Sequence, residues 1–127
     1  MTQKKKKKKN ITNMSRKVTK PWGWEIIWAE TDKYVGKKLF IQAGQRLSRQ
    51  YHEKKDETIY VVQGALTLEI GEGEEMEVKT LIPGSSYHIT PGTVHRFCAT
   101  RVRVILMEVS TPELDDVIRI EDDYERD

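Results

Sequence analysis

Apolar and polar residues alternate with a period of two along most of this chain, in short runs broken by turn-forming residues. WGWEIIWAE (22–30) and YVGKKLFIQ (34–42) are rich in aromatic and β-branched residues. LSRQYH, ETIYVVQ, ALTLEI, MEVKTLI, SSYHIT, VHRFCA and RVRVILMEV follow at intervals of about eight to ten residues. Such runs, most of them bounded by Gly, Pro, Asp or Glu-rich turns, predict the strands of a sandwich or barrel. VQGALT carries a glycine where a tight reversal is needed, and EIGEGEEMEV reads as an acidic hairpin loop. No stretch before residue 112 sustains helical periodicity. TPELDDVIRI fits either a short helix, with Thr111 as N-cap and Pro112 at its first position, or a final strand. The pattern predicts an all-β fold with a short C-terminal extension, and no repeat or linker divides residues 21–127.

The same period sorts side chains onto faces. Ser48, Gln50 and His52 project from one side of their run, and Glu57, Ile59 and Val61 share a side of the next. If those two runs pair across the EKKD loop, Glu57 returns towards Gln50 and His52. His95, just after the Pro91–Gly92 turn, offers a fourth donor. Each of these also has an ordinary reading, as a hydrogen-bonded structural histidine or a solvated glutamate. His88 reads as a proton carrier or as a buried, hydrogen-bonded core residue. Trp22, Trp24 and Trp28 share a parity and are expected on one face, to stack on a sugar or to pack against the barrel or a partner.

With 127 residues and 37% apolar content, the chain is one domain's worth of protein. Cys98 is its one cysteine, expected as a small core residue, so no intramolecular disulfide forms. Residues 1–20 hold nine Lys/Arg and no acid, whereas the other 107 hold 13 Lys/Arg against 20 Asp/Glu. The acidic majority argues against nucleic-acid binding by the folded part. Lys4 to Lys9 repel one another, so residues 1–16 are expected as a disordered basic tail, solvated rather than a nuclear address, ahead of a domain over 17–127. No run approaches the roughly 20 apolar residues of a membrane span, and no secretory segment follows the lysines, so a cytoplasmic protein is expected.

The spacing Gly44-x5-Gln50-x-His52-x4-Glu57-x6-Gly64, followed by Gly84 and Pro91-Gly92-x2-His95, resembles the two motifs of the cupin superfamily. Glutamine at position 50, where most cupins have histidine, is similar to the phosphomannose (mannose-6-phosphate) isomerases. LSRQYHEKKDETIYVVQG, PGTVHR, the opening KPWGWE and the closing DDVIRIEDDYERD all resemble the C-terminal isomerase domain of the type II enzymes.

The resemblance implies a single cupin barrel holding one divalent metal ion, Zn²⁺ or Mn²⁺ foremost, on Gln50, His52, Glu57 and His95. With Gln50 neutral, Glu57 is the only anionic ligand, and the ion keeps positive charge for Lewis-acid work on an aldose–ketose isomerisation. Arg96 and His88 are the expected catalytic residues, and Arg46, Arg49, Arg96, Lys20 and Arg126 the expected contacts to a sugar phosphate or nucleotide-sugar. A homodimer is implied as well. Lys20 replaces the arginine of the family's opening, Glu53-Lys54-Lys55 replaces a histidine-rich segment, Thr58 replaces a histidine, and Glu125 replaces a glycine. These departures support an alternative, a non-catalytic metal-binding cupin that binds or senses a sugar or nucleotide-sugar.

Overall fold

The computed structural model describes residues 14–126, so the lysine run lies outside the described residues. The strands are β1 (Arg16–Lys20), β2 (Gly23–Glu30), β3 (Val35–Ile41), β4 (Arg49–Tyr51), β5 (Glu57–Gln63), β6 (Leu66–Ile70), β7 (Glu77–Leu81), β8 (Ser86–Ile89), β9 (His95–Cys98), β10 (Val104–Ser110) and β11 (Ile118–Glu121). The fold is the all-β double-stranded β-helix expected of a cupin. One antiparallel sheet runs β1-β2-β3-β10-β5-β8 and faces a second that runs β11-β4-β9-β6-β7. β1 starts at Arg16, which pairs with Ile27 and bridges Glu30 at 2.9 Å.

Two local expectations are corrected, and the open choice over TPELDDVIRI falls to a strand. β4 and β5 do not pair across the EKKD loop: β4 lies between β11 and β9, and β5 between β10 and β8. The loop crosses from one sheet to the other, so Glu57 meets His52 across the barrel rather than along a hairpin. Trp22 is buried at 3% exposure on the inside, whereas Trp24 stacks on Phe40 and Trp28 is 48% exposed. The β1–β2 turn breaks the parity at Gly23, whose φ of +151° places a virtual Cβ 2.0 Å from the Phe40 carbonyl oxygen. Residues 111–117 form turns rather than a helix, and the chain then adds β11 to the edge of the second sheet.

The inward positions change character halfway along the barrel. Leu106 of β10 sits opposite Leu39 of β3 and Val61 of β5, all within the buried core. Two residues on, Glu108 sits opposite Lys37 and Ile59, and Ser110 opposite Glu57. Parity is unbroken, so these polar side chains point inward like the leucines before them. One end of the barrel is an apolar core and the other is lined with charge, a costly arrangement unless every charge is paired or bound.

Candidate metal centre and its cavity

His52 follows β4, Glu57 opens β5 and His95 opens β9, so three chain segments deliver donors to the charged end of the barrel. Their side chains are 1–3% exposed, and their donor atoms all lie within 4.8 Å of one another. The imidazoles are oriented from behind. His52 Nδ1 lies 2.6 Å from the Asp116 carbonyl oxygen and His95 Nδ1 lies 2.9 Å from that of Thr93. A carbonyl only accepts, so each Nδ1 carries a proton, and in the neutral imidazole each Nε2 presents a lone pair.

Those lone pairs face a carboxylate. His52 Nε2 is 3.0 Å and His95 Nε2 3.3 Å from the same oxygen, Glu57 Oε2. His95 Nε2 has no aligned hydrogen-bond partner although it is fully buried. Two acceptor nitrogens and an anionic oxygen converging in a dry interior repel unless a cation lies among them. The donor set, imidazole and carboxylate, fits a divalent metal ion. Gln50 stands beside it, the direct partner of His95 in the β4–β9 ladder, with Oε1 accepting a 2.6 Å hydrogen bond from the Ser48 hydroxyl.

The donors open onto a cavity of about 90 Å³ whose wall includes Gln50, His52 and Glu57. Much of the rest of the wall is charge that period-two reasoning did not flag. Lys55 lies 3.4 Å from Glu57 and 3.0 Å from Glu108, and Lys37 lies 3.2 Å from Glu25. Burial opposes the Lys55 ammonium, but Glu108 and Glu57 outweigh it and raise its pKa. Burial, then the charge of Glu57, pushes the Glu108 carboxyl above its ordinary range. Lys20, Arg119 and Arg126 complete the cationic part of the wall. Glu25, Lys37 and Glu108 fall on the inward parity of their strands, but lysines and glutamates read as surface residues until their partners are known.

Four of the remaining site candidates lie elsewhere. Arg46, Arg49 and Arg96 do not reach the cavity. Arg46 and Arg96 bond Asp123, at 2.6 and 3.0 Å, while Arg49 bonds Glu69 at 2.6 Å and also Glu121. Because β9 alternates, Arg96 projects to the opposite side of its sheet from His95. These arginines hold down the C-terminal strap, residues 111–126. His88 is neither in the cavity nor in the core: its side chain is 57% exposed and its Nε2 lies 2.6 Å from Asp56 on the outer surface. Lys20 and Arg126 do line the cavity. Cys98 is buried as expected, and burial pushes its thiol up to about 11.

The strap also completes the metal centre. Besides its carbonyl contact to His52, Asp116 accepts through its carboxylate from the backbone N–H groups of Glu53, Lys54 and Lys55, at 2.7–3.0 Å. Those three bonds lower its pKa to about 2 and fix the loop between His52 and Glu57.

A family model described as Mannose-6-phosphate isomerase C-terminal matches residues 7–122. The mannose-1-phosphate guanylyltransferase ManC of Salmonella typhimurium is 33% identical over 120 residues, which are 90% of this chain and 24% of that protein. The chain therefore spans about a quarter of the length of this relative. Among solved structures, KdgF from Halomonas sp. superposes with a TM-score of 0.68 at 24% identity, covering 81% of this chain and 91% of that one. A cupin-superfamily sugar phosphate isomerase from Silicibacter pomeroyi superposes at 0.60 and 21% identity, covering 69% and 58%. At these identities the structural likeness shows a shared fold. Among the described residues no helix is long and apolar enough to cross a membrane.

Proposed function

The chain belongs to the family of mannose-6-phosphate isomerase C-terminal domains, and on that premise we propose that it is a metal-dependent sugar-phosphate isomerase of the mannose-6-phosphate type. The observation that carries the reading is the pair of pre-oriented imidazoles aimed at one buried carboxylate inside a cavity rich in cations. His52, Glu57 and His95 hold the ion, with Gln50 as a neutral fourth ligand, and Zn²⁺ or Mn²⁺ suits these donors. When bound, the metal supplies Lewis-acid polarisation of the sugar carbonyl. The chain's own residues orient and shield. Asp116 and Thr93 fix the imidazole tautomers, Lys55 screens Glu57 from Glu108, and Leu114 and Val117 of the strap cover part of the cavity.

A specific feature favours a second reading, that of a metal-binding cupin which binds or senses a sugar phosphate or nucleotide-sugar. Apart from Glu57, both carboxylates of the wall are committed to lysines, Glu25 to Lys37 and Glu108 to Lys55. Neither is free to carry the proton an isomerisation must move. The test is conversion of mannose 6-phosphate to fructose 6-phosphate by protein shown to hold Zn²⁺ or Mn²⁺. Turnover that disappears in His52→Ala supports the isomerase, and absence of turnover in metal-loaded protein assigns the binding role.

The protein acts in the cytoplasm as a homodimer in this proposal. Trp28, Tyr60 and Val109 are 48–52% exposed on the outer face of the six-stranded sheet, next to the Trp24–Phe40 stack. An apolar sheet face of this kind suits a second copy of the chain.

A further inference from the structure

We propose that Lys55 selects the metal: by holding Glu57 Oε1 it leaves Oε2 as the one carboxylate oxygen open to the ion, and so favours Zn²⁺ over Mn²⁺. The proposal rests on the reading of His52, Glu57 and His95 as ligands and adds a positioning residue that supplies no donor of its own.

The two oxygens of Glu57 have separate partners. Oε2 lies 3.0 Å from His52 Nε2 and 3.3 Å from His95 Nε2, whereas Oε1 lies 3.4 Å from Lys55 Nζ. The carboxylate has little room to exchange them. Glu57 is paired on both sides, with Ser110 of β10 and Ile89 of β8, and its side chain is 2% exposed. Lys55 is held as firmly. Its backbone N–H donates to the Asp116 carboxylate at 2.9 Å, and its ammonium lies 3.0 Å from Glu108. A buried ammonium has no water to turn to, so it stays between its two carboxylates.

That fixes what an ion can take from Glu57. A carboxylate with both oxygens free can bind through one or through both, but an oxygen bonded to an ammonium is already spent. His52, His95, Glu57 Oε2 and Gln50 then offer a compact set of nitrogen and oxygen donors of the size that Zn²⁺ prefers. Mn²⁺ favours more ligands and more oxygen, and the oxygen that would suit it is the one Lys55 occupies. A lysine acting only through its charge would instead oppose every divalent ion alike. The ratio of two affinities separates these roles.

The test strips the full chain of metal and measures Zn²⁺ binding by chelator competition and Mn²⁺ binding by electron paramagnetic resonance. It is run at a temperature where circular dichroism shows every variant folded. Lys55→Met should lower the ratio of Zn²⁺ to Mn²⁺ affinity about ten- to hundredfold, the range typical when the partner that orients a ligand is lost. X-ray absorption should show one more light-atom neighbour around Zn²⁺ in that variant than in the parent. Lys55→Met/Glu108→Leu, which regains part of the stability, should keep the altered ratio, because the second oxygen of Glu57 is still free. Equal shifts in both affinities, leaving the ratio within about threefold of the parent, would overturn the selection and leave the metal centre standing. Failure of the parent to bind either ion would overturn both. No sugar enters these measurements, so absence of isomerase turnover would sink the catalytic reading without moving them.

Discussion

Replacing Lys55 by methionine tests whether the charged end of the barrel is a paired network. The lysine side chain is 6% exposed and lies 3.0 Å from Glu108 and 3.4 Å from Glu57, which are themselves 4% and 2% exposed. Methionine keeps most of the apolar stem, so the loss is chiefly one of charge. Removing one partner of a buried ion pair costs about 3–5 kcal/mol, because the survivor stays buried and unpaired. Here two carboxylates survive. At about 4 °C per kcal/mol for a domain of this size, metal-stripped Lys55→Met should melt about 12–20 °C below the parent protein. The double variant Lys55→Met/Glu108→Leu removes one of the two orphaned carboxylates as well and should recover part of that deficit, since apolar replacements of buried ion pairs are often neutral. Thermal and urea unfolding followed by far-ultraviolet circular dichroism reads both effects. A single variant within about 1 kcal/mol of the parent, or a double variant no more stable than the single, would refute the pairing argument.

Two further outcomes follow from the same geometry. Protein purified without added metal should retain an ion by elemental analysis, and His95→Ala should lose it while the surface variant His88→Ala keeps it; equal retention in both would exclude the centre. Asp123 tests the strap. Its hydrogen bond from Arg46, helped by Arg96, holds its pKa below the ordinary value of 3.8. A carboxyl depressed in the folded state adds stability that is complete above its unfolded pKa and lost as pH falls through the folded one. Protection factors of the amides in residues 111–126, which correct exchange for its intrinsic pH dependence, should therefore be constant above about pH 5 and fall below about pH 4, and Asp123→Asn should reduce that step. An unchanged acid step in that variant would assign it to another group.

The strands were legible because they rest on short-range regularities, whereas the donor set Gln50, His52, Glu57 and His95 came from the resemblance to the cupin motifs; of these the structure groups His52, Glu57 and His95. Period-two alternation marks strands, and the Gln50–His52–Glu57 and Pro91-Gly92-x2-His95 spacings mark where strands begin. What failed was anything that depends on which strand lies beside which. Glu57 reaches His52, but across the barrel, because sheet membership is set by tertiary packing that the EKKD loop does not encode. Arg46, Arg49 and Arg96 carry the residue type that grips a phosphate, but the carboxylates that claim them, Glu121 and Asp123, come from a segment 70 or more residues later for Arg49 and Arg46. Trp22 was misplaced by the φ of a single residue, Gly23. Lys55 looked like a departure in an exposed loop and is instead enclosed between two glutamates.

The arginines expected at a ligand are spent on the strap instead. By binding Asp123 and Glu121 they seat the strap, and the strap delivers three groups to the working end of the barrel: the Asp116 carbonyl to His52, and Arg119 and Arg126 to the mouth of the cavity. The orientation of His52 and part of the cavity wall then depend on the same segment. A ligand that engages Arg119 favours the strap in place, and the strap in place orients His52 for the metal. By linkage, an ion held by His52 and any ligand that engages Arg119 would strengthen each other's binding by the same factor. The closing stretch DDVIRIEDDYER is therefore less a tail to the barrel than the piece that orients His52 and walls one side of its cavity.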